Sequence, residues 1–396
     1  MLSGKTIILG VTGGIAAYKM ANLTSMLLKL NCEVYVLMTE HATKFINPIT
    51  FESLTGHKCL VDTFDRNYNF NIEHVALGER ADVMLIAPAS ANIIGKMANG
   101  IADDMLTTTI LACKCKKIVA PAMNTNMYEN SFVQDNLKKL ESFGVEVIEP
   151  DTGLLACGAV GKGKLPSEDI LMEYILKEIH YEKDMMGKKV LVTAGATREA
   201  IDPVRYITNY STGKMGYAIA KMAMRRGADV TLISGVTNLE PPIHTRVIPV
   251  KSAEDMFQAV KAEAEAHDII VKAAAVADYT MKTVSGQKIK KKGDGLTLEL
   301  KRTTDILEWL GQHRREGQFL CGFSMETEKT IENSREKLEK KKVDMMIANN
   351  LNDEGAGFGV DTNIVTLITE GGMIELPIMT KEEVASAILD AINNAN

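Results

Sequence analysis

The segment Gly153-Leu154-Leu155-Ala156-Cys157-Gly158-Ala159-Val160-Gly161-Lys162-Gly163 puts a thiol among four glycines. Such a segment reads as a mobile flap, and a cysteine carried on a flap can be exposed and reactive, whereas most isolated cysteines are buried and inert. Thr12-Gly13-Gly14-Ile15 follows a β-branched run. It sets backbone N–H groups at a helix start, where a phosphate or another anion is favoured. There is no strict G-x-G-x-x-G, and a Gly-Gly turn kept for tight packing stays open as the alternative. In Pro88-Ala89-Ser90-Ala91-Asn92, Ser90 or Asn92 either caps a helix or holds a polar ligand, capping being the plainer reading. Asn124, in Pro121-Ala122-Met123-Asn124, offers both an amide donor and an acceptor suited to a carboxylate or peptide-like group. An ordinary turn asparagine is the plainer reading there.

The second half carries charge instead. Lys288, Lys290 and Lys292 share one face of an extended segment, which is either a solvated basic face or a clamp over a triphosphate. Asp278 ends an apolar run, the place of a ligand-binding carboxylate at a strand end. Lys337 and Lys341 lie one helical turn apart, a spacing that usually means solvent exposure. Two look-alikes are excluded. Tyr210-x-x-x-Lys214 is interrupted by Gly213 and sits too near Gly195 for a dehydrogenase pair, and Thr212-Gly213-Lys214-Met215 lacks the upstream glycine and the Ser/Thr of a Walker A loop. His74 reads locally as a loop histidine. The six cysteines contain no C-x-x-C, which argues against a disulfide framework or zinc knuckle, and Cys113 and Cys115 read as ordinary thiols.

The elements that must carry these residues alternate. Strands are expected at 33–38, 82–87, 117–120 and 145–148, then at 229–234, 246–250, 268–271, 297–300, 319–323, 344–348 and 364–369. Helices fall at 15–30, 167–180, 214–226, 253–266, 328–341 and 381–393. The runs opening at Gly4-Lys5-Thr6 and Gly187-Lys188-Lys189 are alike, so two α/β domains in tandem are expected, each with a mostly parallel sheet. Their spans are 1–180 and 189–396, with the charged stretch 181–188 as linker. The 396 residues suit two cores, and 46% hydrophobic with 24% charged residues excludes wholesale disorder. A net charge of −6 disfavours nucleic-acid binding. No apolar run has the length of a membrane span, and no signal peptide is visible, so a cytoplasmic location is expected.

The first-half segments, Gly10 to Lys19, Pro-Ala-Ser-Ala-Asn, Pro-Ala-Met-Asn-x-x-Met and Leu155-Ala156-Cys157-Gly158, together resemble the flavin-dependent cysteine decarboxylases. The resemblance implies a flavodoxin/Rossmann-like flavoprotein domain binding FMN at Gly13, Gly14, Ile15, Ser90 and Asn92, with Thr39 as a further contact. It makes His74 a substrate-binding or proton-transfer residue, Asn124 the holder of the substrate carboxylate, and Cys157 a proton donor. The chemistry explains the need for a flavin. Losing CO2 from a cysteine carboxylate would leave an unstabilised carbanion, and oxidation of the CH2–SH to a thioaldehyde provides a sink for the electrons. A free thiol near pKa 8.5 keeps its proton at neutral pH and can supply it at the end.

The second half resembles phosphopantothenate–cysteine ligase through Asp202 to Asn209, Ser211 to Gly216, Lys272 to Asp278, Lys288 to Lys291, Thr304-Asp305-Ile306-Leu307 and Gly322-Phe323. Together the halves resemble the bacterial bifunctional enzymes of coenzyme A biosynthesis. The resemblance implies a Rossmann-like ligase domain that activates 4′-phosphopantothenate with CTP and Mg2+ as an acyl-cytidylate, which L-cysteine then attacks. Lys288 would serve cytidylate formation and Asn209 the acyl intermediate. Lys272, Ala273, Ala274, Asp278, Thr304, Asp305, Ile306, Leu307, Phe323, Lys337 and Lys341 would form the CTP site. Metal ligands are not assigned. A homo-oligomer is expected from the resemblance, with trimeric flavin domains and dimeric ligase domains combining to a dodecamer. Three other readings stay open: a nicotinamide-dependent dehydrogenase, a non-catalytic flavin or nucleotide sensor, and a flavin-dependent decarboxylase of another cysteine-terminated substrate.

Overall fold

The computed structural model describes residues 2–64, 73–156, 158–290, 295–326, 328–350 and 357–395, with the side chains at 73, 74 and 350 outside that description. The chain divides into two compact units, Met1–Tyr181 and Glu182–Asn396.

In the first unit the strands are β1 (Thr6–Val11), β2 (Glu33–Met38), β3 (Val83–Ala89), β4 (Lys116–Pro121) and β5 (Glu146–Val147), paired in the order β2-β1-β3-β4-β5. Every pairing in this sheet is parallel. Helices cover both of its faces, and the strand residues divide between them with period two. Ile7, Leu9, Val11, Val83 and Leu85 pack with Met20, Leu23 and Leu27 on one side. Ile8, Met84 and Ile86 pack with Ile93, Ile94, Leu106 and Ile110 on the other. Burial on both faces is why these strands read as continuous apolar runs. An antiparallel hairpin, β6 (Asp151–Leu154) and β7 (Val160–Lys164), stands outside the sheet.

The second unit holds β8 (Lys189–Ala194), β9 (Glu199–Ala200), β10 (Tyr206–Ile207), β11 (Asp229–Ser234), β12 (Thr245–Pro249), β13 (Ile269–Lys272), β14 (Tyr279–Met281), β15 (Leu300–Arg302), β16 (Phe319–Glu326), β17 (Met345–Asn350), β18 (Thr362–Thr369) and β19 (Gly372–Thr380). Eight form one sheet in the order β12-β11-β8-β13-β16-β17-β18-β19. The first six run parallel, and β18 and β19 are antiparallel additions. In both sheets the order reverses beside the first strand, between β1 and β3 in one and between β8 and β13 in the other. The crevice at the carboxyl ends of such a reversal is where open α/β sheets bind ligands.

Three sequence expectations change. The stretch 181–188 is not a free linker. Met185 is fully buried, its N–H donates to Arg226 O at 3.1 Å, and Asp184 pairs with the buried Arg226. Of the charges that suggested solvent, Asp184 is the partner of a buried guanidinium and Lys183 Nζ donates to Arg225 O at 2.6 Å. The strand expected at 297–300 falls at β15, in a two-stranded ribbon with β14 outside the main sheet. Finally, a further strand, β19, follows the strand expected at 364–369. Pro377 interrupts it, and a proline-bearing strand is tolerated at a sheet edge.

Candidate active sites

A cavity of about 480 Å3 opens at the β1/β3 reversal. Its walls bring Gly13, Gly14, Ile15, Ser90 and Asn124 together with Leu155 and Ala156. Thr12 fixes this rim: its buried hydroxyl donates to Pro88 O at 2.7 Å and accepts from Ser90 N at 3.0 Å. Ser90 starts the helix Ala91–Asn99, yet its side chain makes no cap hydrogen bond, so the hydroxyl on the cavity wall is not used up by capping. Asn124 does cap: its Oδ1 accepts from Asn126 N at 2.9 Å at the head of Thr125–Tyr128. That bond sets the plane of its amide.

The glycine-rich segment is a docked hairpin. Met123 N donates to Gly163 O at 3.0 Å. Gly163 has φ +135°, and a Cβ there would lie 2.2 Å from Met123 O; a Cβ on Gly161 would lie 2.5 Å from Thr125 Oγ1. These glycines are needed for close approach to the Pro-Ala-Met-Asn segment, where the sequence suggested mobility. At the tip, Leu155 N donates to Ala159 O at 2.8 Å and Gly158 N to Leu155 O at 2.9 Å. Cys157, between them in sequence, lies outside the described residues. His74 lies in the helix Glu73–Arg80 instead of the loop expected, and its side chain is outside the description. Thr39 and Asn92 do not line the cavity. The Thr39 hydroxyl accepts from Ala42 N at 3.3 Å, and Asn92 is exposed on the helix that Ser90 begins.

In the second unit a cavity of about 370 Å3 is lined by Lys272, Asp278, Arg302, Thr304, Asp305, Ile306 and Lys341, among others. Lys272 ends β13 in register with Gly322 of β16. Gly322 is where the helix Ile306–His313 can come close, because a Cβ there would lie 2.4 Å from Leu307 Cδ2. Leu307 is therefore buried as the anchor of that helix. Asp305 caps it, accepting from Glu308 N at 3.0 Å, and pairs with Lys341 at 2.8 Å. Partial burial pushes the Asp305 carboxyl up, but the hydrogen bonds from Lys341 and Glu308 N hold it below its ordinary value. Burial, with Lys341 nearby, lowers the Lys272 ammonium to about 8 against the opposing pull of Asp305 and Asp278.

Ala273 and Ala274 are held by main-chain bonds, donating to Thr193 O and Thr193 Oγ1, both at 3.2 Å. Asn209 lines neither this cavity nor the larger basic one beside it: its Nδ2 donates to Ala275 O at 2.6 Å, and its Oδ1 accepts from Ser211 N at 3.0 Å. Lys337 pairs with Glu326 and reaches Ser324 Oγ at 3.2 Å, so it and half-buried Phe323 lie off the cavity wall. Lys288 and Lys290 are exposed, and 291–294 lie outside the described residues.

A larger cavity of about 1080 Å3 shares Arg302, Thr303 and Thr304 with the first. Arg198, Arg205, Lys251, Lys282, Lys301 and Arg302 give it a basic lining. Sequence reading missed this cavity because its cations come from segments far apart in the chain. It also missed Asp202, although Asp-Pro-Val-Arg is a recognisable turn signal. Among the described residues there is no group of three or more His, Cys, Asp or Glu able to hold a metal, and no helix is long and apolar enough to cross a membrane.

Comparison with known proteins agrees with this two-part layout. The flavoprotein family model matches residues 1–180, and the DNA/pantothenate metabolism flavoprotein C-terminal domain matches 185–395. A coenzyme A biosynthesis bifunctional protein CoaBC from Bacillus subtilis is 48% identical over 398 aligned residues, covering 99% of this chain and 97% of the relative. Its counterpart from Vibrio vulnificus is 42% identical, covering 99% and 98%. The one from Escherichia coli is 38% identical, covering 99% and 97%. The chain thus belongs to the bifunctional coenzyme A biosynthesis proteins, enzymes that join a flavoprotein decarboxylase domain to a ligase domain.

Proposed function

We propose that the second unit couples 4′-phosphopantothenate to L-cysteine with CTP, and that the first unit decarboxylates the resulting 4′-phosphopantothenoylcysteine to 4′-phosphopantetheine with FMN. The observation that carries this reading is the convergence, at the β1/β3 reversal, of the Gly13–Ile15 turn, Asn124 and the hairpin residues Leu155 and Ala156 just before position 157.

FMN, when bound, supplies the two-electron redox chemistry that creates the electron sink. The backbone N–H groups of Gly13 to Ile15 and the Ser90 hydroxyl are suited to its polar groups, and the apolar walls from Met123, Met127 and Leu155 suit a flat ring. Asn124, its Oδ1 pinned by Asn126 N, holds the substrate carboxylate. Cys157 gives the proton that completes the product, and His74 binds substrate or moves a proton.

In the ligase unit, Lys272, Lys341 and Arg302 face the triphosphate, and Lys288 adds charge as pyrophosphate leaves. Mg2+ would arrive on the triphosphate, with Asp278 the wall carboxylate suited to it. The adjoining basic cavity suits the phosphate end of the acid substrate. Asn209 keeps a second N–H for the acyl carbonyl while the first holds Ala275 O. The resemblance supports trimers of flavin domains and dimers of ligase domains, combining to a dodecamer.

The test is one incubation of the purified chain with 4′-phosphopantothenate, L-cysteine, CTP and Mg2+, read by mass spectrometry. Phosphopantetheine that appears only with all components present is the expected result. In Cys157→Ser, CO2 loss without the final protonation should leave an oxidised enethiol product. Phosphopantothenoylcysteine alone from the parent enzyme would refute the decarboxylase half. Intact substrates and CTP would refute the ligase half, and 4′-phosphopantothenoylcysteine supplied directly and left unchanged would refute the other.

A further inference from the structure

Asp202 opens the Asp-Pro-Val-Arg turn with its side chain shut off from solvent. Its Oδ1 accepts from Val204 N at 2.8 Å and Arg205 N at 2.9 Å. Its Oδ2 accepts from Arg205 Nε at 3.0 Å, from the Arg205 Nη2, and from Ile289 N at 3.1 Å. The same Arg205 nitrogen donates to Ile289 O at 2.9 Å. Both main-chain groups of Ile289 are therefore held by one ion pair, a buried carboxylate and a partly exposed guanidinium, some eighty residues earlier in the chain. At the other end of the segment, Ser285 N donates to Ile201 O at 3.1 Å.

The alternation of the segment gives this tether a consequence. Ile289 is half-buried, while Lys288 and Lys290 on either side are exposed. In extended chain, fixing the middle residue inward fixes its two neighbours outward. Asp202 and Arg205 also line the basic cavity, so the tether sets the lysines beside that wall. A buried carboxylate surrounded only by donors is satisfied as an ion, whereas an amide in its place would turn an NH2 group toward N–H donors.

We propose that Asp202 is a positioning residue for ligation, fastening the Lys288–Lys290 strip to the wall of the basic cavity so that its charge is delivered at a fixed place. This rests on the reading of Lys288 as the group that serves cytidylate formation. Asp202 acts through Ile289 and need not touch substrate.

The test uses the full chain and two readouts. Native trypsin digestion followed by mass spectrometry gives the rate of cleavage after Lys288 and Lys290. Pyrophosphate release with CTP and 4′-phosphopantothenate gives the first half-reaction. In Asp202→Asn, cleavage should accelerate about tenfold or more, and kcat for pyrophosphate release should fall about tenfold with KM for CTP unchanged, as expected for a misplaced group. Adding Lys288→Gln should then cost nothing beyond Lys288→Gln alone. Ile289→Pro leaves Asp202 and Arg205 in place but removes the N–H that Asp202 accepts from, along with the isoleucine side chain and the freedom of φ, so it should reproduce the kcat loss and the faster cleavage after Lys290 even if Asp202→Asn folds poorly. Unchanged cleavage, or losses that multiply in the double variant, would overturn the proposal. If Lys288→Gln alone releases pyrophosphate at the parent rate, the Lys288 reading fails, and the cleavage rates then decide whether the tether exists.

Discussion

The two crevices solve different problems on the same sheet plan. The first is built of backbone and small or apolar side chains, with glycines that let a hairpin approach Met123 and Thr125. The second is walled by Lys272, Lys341, Arg302, Asp278 and Asp305, supported by charge pairs and a helix cap. A flavin cavity needs shape and a few oriented polar groups, because the cofactor brings the chemistry. A triphosphate site must place opposite charge where charge builds, because there is little else for the protein to do. The first site should therefore be most sensitive to lost geometry, and the second to lost charge.

The largest expected effect breaks the geometry. Gly163→Ala forces a Cβ into Met123 O at a positive φ, so decarboxylation should fall about a hundredfold, while pyrophosphate release from the other unit stays near the parent rate. Parallel loss of both activities would show that the contrast between the sites is wrong. Next, removing charge by Lys341→Met should raise KM for CTP about tenfold and leave CO2 release unchanged, because Asp305 loses its partner on the cavity wall.

The third prediction concerns pH. Lys272 is charged below about 8 and neutral above it, earlier than an ordinary lysine near 10.5. With nucleotide binding depending on that charge, kcat/KM for CTP should decline as pH rises through about 8, the value of the free enzyme. Lys272→Arg, which stays charged, should move the decline to higher pH. An alkaline limb unmoved by Lys272→Arg would assign it to another group. The smallest effect should come from Ser90→Ala. Its hydroxyl makes no cap bond, so the usual cap penalty of about 0.5–2 kcal/mol should be absent from thermal unfolding, while flavin is retained less well in dialysis. A clear fall in melting temperature would restore the capping role.

Much was legible in the chain. The apolar runs of β1, β3, β8 and β13 are recognisable because burial on both faces needs continuous hydrophobicity. The glycine turn at Gly13-Gly14 and the segments at Ser90 and Asn124 follow strands and precede helices, so their place at strand ends could be read directly. The docked hairpin could not be, because glycines demanded by close approach and glycines that confer mobility look the same in sequence. Nor could Asp184 be assigned to Arg226, or Lys337 be separated from Lys341. Helical spacing puts the two lysines on one face, but only their neighbours decide that one meets Glu326 and the other Asp305.

Local signals in the chain specify two α/β units with mostly parallel sheets, their order, and the residue types brought to each crevice. These follow from local periodicity, turn chemistry and apolar runs, which act over a few residues. Only long-range packing leaves the Ser90 helix without a side-chain cap, brings Asp202 to Ile289, and gathers basic side chains from residue 198 to residue 302 around one cavity. Those contacts join segments far apart in the chain, and their partners are selected by how the packed layers meet, not by spacing along the chain.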